Sequence, residues 1–249
     1  MLSSKGRPLA QRVFGPLARL CVKWNISADA ITISGTVLSV VLSLWLIPTQ
    51  HFIIGSLLIS FVVIFDNLDG QIARLNGSPT KWGAFLDSTL DRISDAAIFL
   101  SVLIWFYIHA DGVLQAWGLI TGISALIFGS VVPYARARAE GLGMRADVGI
   151  AERADRLVII LAAIFLSGIS HYMWIFVIAF IYLTIAAFIT VVQRMYVVYK
   201  QAHSTKRHRT QQIARERLQE AQLDSARRSQ RRHSSAQRIG RKRHSDESL

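Results

Sequence analysis

The stretch GSLLISFVVIFDNLDGQIAR, residues 55–74, passes without a break from an apolar run into a charged one. Its first part, up to Phe65, has the composition of the interior of a membrane helix. Two aspartates, a glycine and an arginine then follow between residues 66 and 74. An aspartate at mid-membrane costs about 2.5–3.5 kcal/mol on insertion scales. Such residues therefore indicate a functional site at the end of a membrane helix.

The rest of the chain supports a membrane setting for this stretch. Of the 249 residues 52% are hydrophobic, and the long apolar runs fill residues 29–198. A spanning helix needs roughly 20 mostly apolar residues. The pattern predicts an all-α membrane protein with six transmembrane helices, the alternative being a soluble helical protein. The predicted spans cover about residues 30–47, 52–74, 84–108, 114–138, 150–167 and 172–198.

The connections between these spans predict an orientation. The connections PTQH, HADGV and SGISH carry no Lys or Arg, whereas the alternate connections and the N-terminal region are basic. Basic loops face the cytoplasm, so both termini are expected there, which requires an even number of spans. We expect a multi-pass protein of the cell (plasma) membrane.

Two flanking segments complete the predicted organisation. Residues 1–28 are expected to form an amphipathic juxtamembrane segment, the alternative being a plain buried helix. Residues 29–198 are expected to form the transmembrane domain and residues 199–249 a basic cytoplasmic tail. The tail carries most of the formal net charge of +12 and few apolar residues, which is typical of a disordered segment. Its charge favours anionic membrane lipid. Nucleic acid is an unlikely partner, because residues 200–249 contain no Phe, Trp or Tyr to stack on bases.

Five aspartates are expected to meet at the cytoplasmic ends of the second and third spans. Asp66 and Asp69 are three residues apart, and Asp87, Asp91 and Asp95 follow at intervals of four, so each set shares one helical face. Carboxylates in so small a volume need protons or cations between them. Mg²⁺ suits an all-oxygen site and leaves positions for phosphate, and two such ions can clamp a phosphate during displacement.

Two other interpretations of this acidic cluster stay open. The aspartates could form ion pairs that fix helix packing, using Arg74 and Arg92. They could also line a cation or proton pathway in a transporter. Two ion pairs, however, cannot neutralise five acids. A transporter explains carboxylates on helices but not Gly70, Ala73 and Arg74 at fixed spacing.

The spacing of eight residues is the most specific signal in the sequence. They form the pattern D-x2-D-G-x2-A-R-x8-G-x3-D-x3-D, which resembles the signature of the CDP-alcohol phosphotransferases. The resemblance implies six spans, cytosolic termini, a homodimer, and two divalent metal ions, usually Mg²⁺ with Mn²⁺ possible. It also implies transfer of a phospho-alcohol from a CDP-linked donor with release of CMP. The eight residues are Asp66, Asp69, Gly70, Ala73, Arg74, Gly83, Asp87 and Asp91.

The resemblance also implies roles for individual residues. Asp91 would act as the general base on the acceptor hydroxyl. The metal ligands would be Asp66, Asp69, Asp87 and Asp91. The CDP moiety of CDP-diacylglycerol would meet Asp29, Ala30, Ile31, Thr32, Gly70, Arg74 and Thr80.

Further stretches bear on the acceptor. Four stretches resemble the sequences of the actinobacterial subfamily that makes phosphatidylinositol phosphate. They are LDSTLDRISD, YARARAE, GIAERADRL and VVQR. The expected acceptor is therefore inositol 1-phosphate. A phosphatidylglycerophosphate synthase and an enzyme for free inositol are the alternatives within the family. The acceptor phosphate would need a basic pocket, expected at Arg136, Arg153 and Arg194, with Arg138 and Arg156 as weaker candidates.

Pro133 departs from the pattern of that subfamily. It stands where the subfamily often has a serine that helps to hold the acceptor phosphate, and Arg136 stands where a lysine is common. Proline supplies neither a hydroxyl nor an N–H group, so it is expected to shape the pocket through a kink. Asp95 is expected either to support the metal ligands or to hydrogen-bond the acceptor.

Overall fold

The computed structural model describes residues 27–75, 80–150 and 152–203, apart from the side chains of residues 28 and 66–75. All regular secondary structure in this part of the chain is helical, so the predicted all-α class is confirmed there. The juxtamembrane segment and the basic tail lie almost wholly outside the described residues. The helices are α1 (Ala28–Leu46), α2 (Phe52–Leu75), α3 (Lys81–His109), α4 (Gly112–Gly141), α5 (Arg153–Ser170) and α6 (Trp174–His203).

Side chains that cap helix N-termini explain where α1, α3 and α5 begin. Ser27 and Thr80 each accept a hydrogen bond from the backbone N–H three residues further on, at 3.2 and 2.9 Å. Glu152 and Asp155 form a reciprocal capping box at the start of α5. Such caps satisfy the amide donors that have no partner within the helix.

The connection between α4 and α5 has the predicted length but lies three residues further along the chain than the sequence suggests. The predicted fifth span starts at residue 150, but α5 begins only at Arg153. Gly149 has a φ of +142°, which no helix accommodates. The connection is also fastened to α6: the backbone N–H of Ile150 donates to Thr190 Oγ1 at 3.1 Å. Helix α6 extends to His203, past the predicted end at residue 198. In this last part of the helix, Gln201 bonds both backbone groups of Arg145.

The core lies between the helices and is rich in aromatic side chains. Helix α1 packs against α2 and α3, α2 packs against α5, and α3 packs against α4. Phe52, on α2, lies edge-on to Trp105 of α3 and Phe176 of α6, with ring centroids 5.7 and 5.6 Å apart. Phe106 and Phe180 complete the cluster and are fully buried. Edge-to-face aromatic pairs add stability beyond the area they bury.

Two glycines let α4 approach its neighbours closely. A Cβ atom on Gly122 would lie 2.6 Å from Leu103 and 2.7 Å from the Phe180 ring, and one on Gly118 would collide with the Phe106 ring. Small residues at helix contacts are characteristic of membrane helices, where packing replaces the hydrophobic effect.

The helices have the length and surface of membrane spans. Four of those in the described part, α1, α3, α4 and α6, are long and apolar enough to cross a membrane. Helix α2 is apolar over Phe52–Phe65 only, and three of the first four residues of α5 are charged. Large apolar side chains on the outer faces, such as Trp45 and Ile120, each 63% exposed, suit lipid contact. The full count of six spans stays a prediction.

Candidate active site

The acidic motif is divided between α2 and α3. Asp66, Asp69 and Arg74 fall within α2, but their side chains lie outside the description. On α3, Asp87 is half-buried, while Asp91 and Asp95 are only 9% and 8% exposed. The predicted common face of these three residues thus points inward. A buried hydrogen bond of 2.9 Å between Ser94 of α3 and Ser39 of α1 fixes the rotation of α3.

Two arginines of α5 pair with the buried aspartates of α3. Arg153 Nη2 lies 2.7 Å from Asp91 Oδ1, and Arg153 Nε lies 3.1 Å from Asp95 Oδ1. Arg156 Nη2 lies 3.1 Å from Asp95 Oδ2. The four side chains form a row of alternating charge that joins α3 to α5. We call this row the Asp–Arg chain.

The inner end of the Asp–Arg chain is fixed to a third helix. Arg156 is 4% exposed, and its Nη1 donates a hydrogen bond to the backbone carbonyl of Gly129 in α4. A buried guanidinium needs such partners, because an uncompensated buried charge is strongly destabilising.

Ion pairs between aspartates and arginines do join two helices, but among the described side chains their arginines are not the expected ones. Arg92 Nε donates to the Ser88 carbonyl of its own helix at 3.2 Å, and Arg74 lies outside the described side chains. The partners come instead from α5. The sequence makes Arg156 a weaker candidate than Arg153 for binding the acceptor phosphate, although their spacing of three residues places both on one face of α5.

The three arginines expected to bind an acceptor phosphate have different surroundings. Only Arg153 contacts the proposed base Asp91. Arg136 is half-exposed and pairs with Glu140 and Asp147, each at 3.0 Å. Arg194 is 5% exposed.

Buried Arg194 is hydrogen-bonded to two backbone carbonyls. Its Nε donates to Val148 O at 2.9 Å, and its Nη1 donates to Val132 O. These bonds join α6 to α4 and to the α4–α5 connection. The residue therefore stabilises the connection that leads to Arg153.

The N-termini of α1 and α3 meet where a nucleotide contact is expected. Trp82 Nε1 donates to Asp29 Oδ2 at 3.1 Å, a contact that sequence reasoning missed. A Cβ atom on Gly83 would lie 3.2 Å from Thr80 Oγ1 and 3.8 Å from Asp29 Oδ1, so the glycine keeps this corner open. The neighbouring positions range from exposed Ala30 through half-buried Ile31 to buried Thr32.

An apolar groove lies beside the Asp–Arg chain. It has a volume of about 580 Å³ and runs between α2 and α5, with Arg153 in its lining. Apart from this arginine and two serines its wall is aliphatic or aromatic. We call it the α2–α5 groove; its lining includes Ser56, Ser60, Val63, Arg153, Leu157 and Leu161.

The donor set of the motif fits a divalent cation. No group of three or more metal-ligating side chains occurs among the described residues, which do not include the side chains of Asp66 and Asp69. The described pair, Asp87 and Asp91, are one helical turn apart and supply carboxylate oxygens only. Hard cations such as Mg²⁺ and Mn²⁺ prefer ligands of this kind.

The helices are apolar, the carboxylate motif is divided between two of them, and an arginine lies beside it. These features are those of a membrane-embedded transferase for phosphorylated substrates. The chain belongs to the CDP-alcohol phosphatidyltransferase family, whose model matches residues 25–151. It is accordingly an integral membrane protein and an enzyme of the transferase class.

Curated relatives and solved structures agree with this assignment. The phosphatidylinositol phosphate synthase of Cutibacterium acnes is 40% identical over 200 residues, which cover 78% of this chain and 95% of that protein. That of Mycobacteroides abscessus is 38% identical over 191 residues, covering 75% and 84%.

Two crystal structures of the phosphatidylinositol phosphate synthase of Mycobacterium tuberculosis match the fold. The one with CDP-DAG bound has a TM-score of 0.71 at 36% identity and covers 76% of this chain and 94% of that one. The one in complex with manganese and citrate has the same score and identity, and covers 75% and 88%.

Proposed function

We propose that the protein transfers the phosphatidyl group of CDP-diacylglycerol to inositol 1-phosphate, which yields phosphatidylinositol phosphate and CMP. The observation that carries the proposal is the guanidinium of Arg153, 2.7 Å from Asp91 at the edge of the motif. It puts a phosphate-binding group next to the proposed base. The names of the relatives and the CDP-DAG bound to one of them support the same reaction.

Asp91 is the proposed general base. Its carboxylate would take the proton of an acceptor hydroxyl, and that oxygen would form a bond to the β-phosphorus of CDP-diacylglycerol. The bond from this phosphorus to the bridging oxygen would break, and CMP would leave with the electron pair. A positioned base typically contributes a factor of about 10²–10⁴ to the rate.

Metal ions fit the proposed site. We propose two Mg²⁺ ions, with Mn²⁺ as a substitute, held by Asp66, Asp69, Asp87 and Asp91. When bound, they would stabilise the charge on the diphosphate and on the leaving CMP.

The nucleotide and the lipid part of the donor would occupy different places. The nucleotide would lie at the N-termini of α1 and α3, with further contacts from α2. An acyl chain would lie in the α2–α5 groove, whose wall is largely apolar and which lies beside Arg153. The nucleotide-binding residues we propose are Asp29, Ala30, Ile31, Thr32, Gly70, Arg74 and Thr80.

The acceptor phosphate would bind Arg153 first. A planar guanidinium matches phosphate geometry and is always charged. Arg136 would have to exchange Glu140 or Asp147 for the phosphate, and Arg194 would have to share donors already given to backbone carbonyls. We therefore propose Arg153 as the main ligand and the other two as secondary ones.

We propose the following arrangement in the cell. Six spans cross the plasma membrane with both termini in the cytoplasm, and two copies associate as a homodimer through membrane helices. The boundaries of the transmembrane domain are residues 29 and 198, with residues 1–28 and 199–249 at the membrane surface and in the cytoplasm. The basic connections support this topology.

A comparison of acceptors tests the function. The purified protein receives CDP-diacylglycerol and Mg²⁺, then inositol 1-phosphate, inositol or glycerol 3-phosphate, and CMP release is measured. We expect release with inositol 1-phosphate at a kcat/KM at least about tenfold above that with free inositol, because one charged phosphate contact is lost. Release with glycerol 3-phosphate alone would instead identify a phosphatidylglycerophosphate synthase. No release with any acceptor would favour a non-enzymatic role such as cation transport.

A further inference from the structure

A proline inside α4 gives the inner end of the Asp–Arg chain its anchor. Pro133 lies within the helix and has no N–H group, so it cannot bond to the carbonyl four residues earlier. That carbonyl belongs to Gly129, a buried residue, and it accepts a hydrogen bond from Arg156 Nη1. Leaving a buried carbonyl without a donor is unfavourable. The arginine of α5 therefore supplies the donor that the proline removes.

Arg156 passes this anchorage on to the proposed catalytic residue. Its other terminal nitrogen holds Asp95 Oδ2 at 3.1 Å. The second oxygen of Asp95 holds Arg153 Nε at 3.1 Å, and Arg153 Nη2 reaches Asp91 at 2.7 Å. Each side chain in the row thus fixes the next, starting from the backbone of α4.

We propose that Asp95 and Arg156 are positioning residues, which hold the Arg153 guanidinium in register with Asp91 through an ion-pair chain anchored on the Gly129 carbonyl. The proposal rests on the proposed function, in which Arg153 meets the acceptor phosphate and Asp91 takes the hydroxyl proton. Arg156 is buried behind Asp95 and acts through it.

The physical need for such a device lies in the arginine itself. A free arginine side chain has many rotamers, and ordering it has an entropic cost. The Arg153 side chain is 28% exposed, so burial alone does not fix it. The two oxygens of Asp95 bind one nitrogen from each arginine and so set the angle of the Arg153 plane. A fixed plane sets the distance between the bound phosphate and the attacking hydroxyl, and small errors in such distances reduce rates strongly.

The charges along the row have consequences for the choice of variant. The Asp95→Asn substitution keeps the shape of the side chain and one of its oxygens, which can still face one arginine. It removes the negative charge, so that Asp91 is the single carboxylate left in the row with two guanidinium groups. Arg153 then loses one of its two anionic partners. We expect its plane to become mobile while the nucleotide end of the site, at α1 and the start of α3, is unchanged.

The first experiment separates acceptor from donor kinetics in the Asp95→Asn variant. We expect the KM for inositol 1-phosphate to rise about tenfold, as for the loss of one charged contact, with the KM for CDP-diacylglycerol within about twofold of wild type. The Kd for inositol 1-phosphate, from calorimetry without the donor, should rise by a similar factor. A purely structural role would lower the active fraction and leave both acceptor constants unchanged, which would overturn the proposal.

A second variant and a control keep the result interpretable. Arg156→Lys retains the charge but offers a single ammonium for two acceptors, so it should raise the acceptor KM severalfold. This variant decides the outcome if Asp95→Asn does not fold. Asp111→Asn, an exposed aspartate before α4 without a capping hydrogen bond, should leave both KM values unchanged. If the wild type does not use inositol 1-phosphate, the proposed function fails; if it does and the variants keep the wild-type acceptor KM, only the positioning role fails.

Combined variants test whether the residues act in one row. In the Arg153→Ala background, Asp95→Asn should add less than about twofold to the loss in acceptor kcat/KM, because its effect passes through Arg153. Independent, multiplying effects would contradict the proposal.

In the Arg156→Ala background, Pro133→Ala restores an N–H for the Gly129 carbonyl. It should raise the melting temperature more there than in the wild type, whereas equal increases would show that Arg156 is not the substitute donor.

Discussion

Replacing Arg153 with lysine tests the geometry of the site most finely. The arginine uses two different nitrogens for Asp91 and Asp95, at 2.7 and 3.1 Å. A lysine ammonium is a single compact charge and cannot keep both contacts in this arrangement. A hydrogen bond to a charged group contributes about 1.5–3 kcal/mol, and the partial exposure of the side chain favours the lower value. A loss of about 1.4 kcal/mol is a factor of ten.

We therefore expect Arg153→Lys to lower kcat/KM for inositol 1-phosphate about tenfold, and Arg153→Ala about a hundredfold because both contacts are lost. The assay is CMP release at saturating CDP-diacylglycerol and Mg²⁺, with the acceptor varied. Arg145→Lys is a matched control, because that arginine is exposed and its backbone groups, which the substitution keeps, bond Gln201. Full activity of Arg153→Lys, or an equal fall in kcat/KM for the donor, would refute the reasoning.

Three further predictions address the base, the metal and the core. Asp91→Asn should reduce turnover by about 10³-fold or more while CDP-diacylglycerol still binds, since a general base contributes about 10²–10⁴; turnover near that of the wild type would exclude Asp91 as the base. Treatment with EDTA should abolish CMP release, and added Mg²⁺ or Mn²⁺ should restore it, whereas activity that persists in EDTA would argue against metal dependence. Gly118→Ala should destabilise the protein by about 1–3 kcal/mol, as overpacking does, because the new methyl group collides with the Phe106 ring. Its thermal unfolding in detergent should begin at lower temperature than that of wild type, and an unchanged profile would mean that this contact is not tight.

The sequence predicts the local features of the site well. Intervals of four residues place Asp87, Asp91 and Asp95 on one face of α3 whatever the rest of the fold, and α3 buries the last two of these residues. The helices also follow from apolar length alone, with ends within a few residues of those predicted. Such periodic and local signals do not depend on how distant parts of the chain meet.

The partners of the buried charges could not be read from the sequence. The distance from Asp95 to Arg156 depends on how α3 and α5 are placed, and no spacing along the chain encodes it. Because Pro133 has no N–H group, the sequence shows that the Gly129 carbonyl lacks its helical donor. It does not show which arginine supplies a donor instead. The exact start of α5 differs from the predicted one for a similar reason, because apolar Ile150 looks helical while Gly149 before it has a positive φ.

The most direct measurement of the central claim is the mass of the lipid product. The enzyme is supplied with CDP-diacylglycerol and inositol 1-phosphate that carries ¹⁸O in its phosphate, and the extracted lipid is analysed by mass spectrometry. The proposed reaction forms a phosphatidylinositol phosphate with two phosphate groups, one of them labelled, because a hydroxyl of the acceptor attacks and its own phosphate is retained. An unlabelled lipid with a single phosphate, or no new lipid at all while CMP appears, would contradict it.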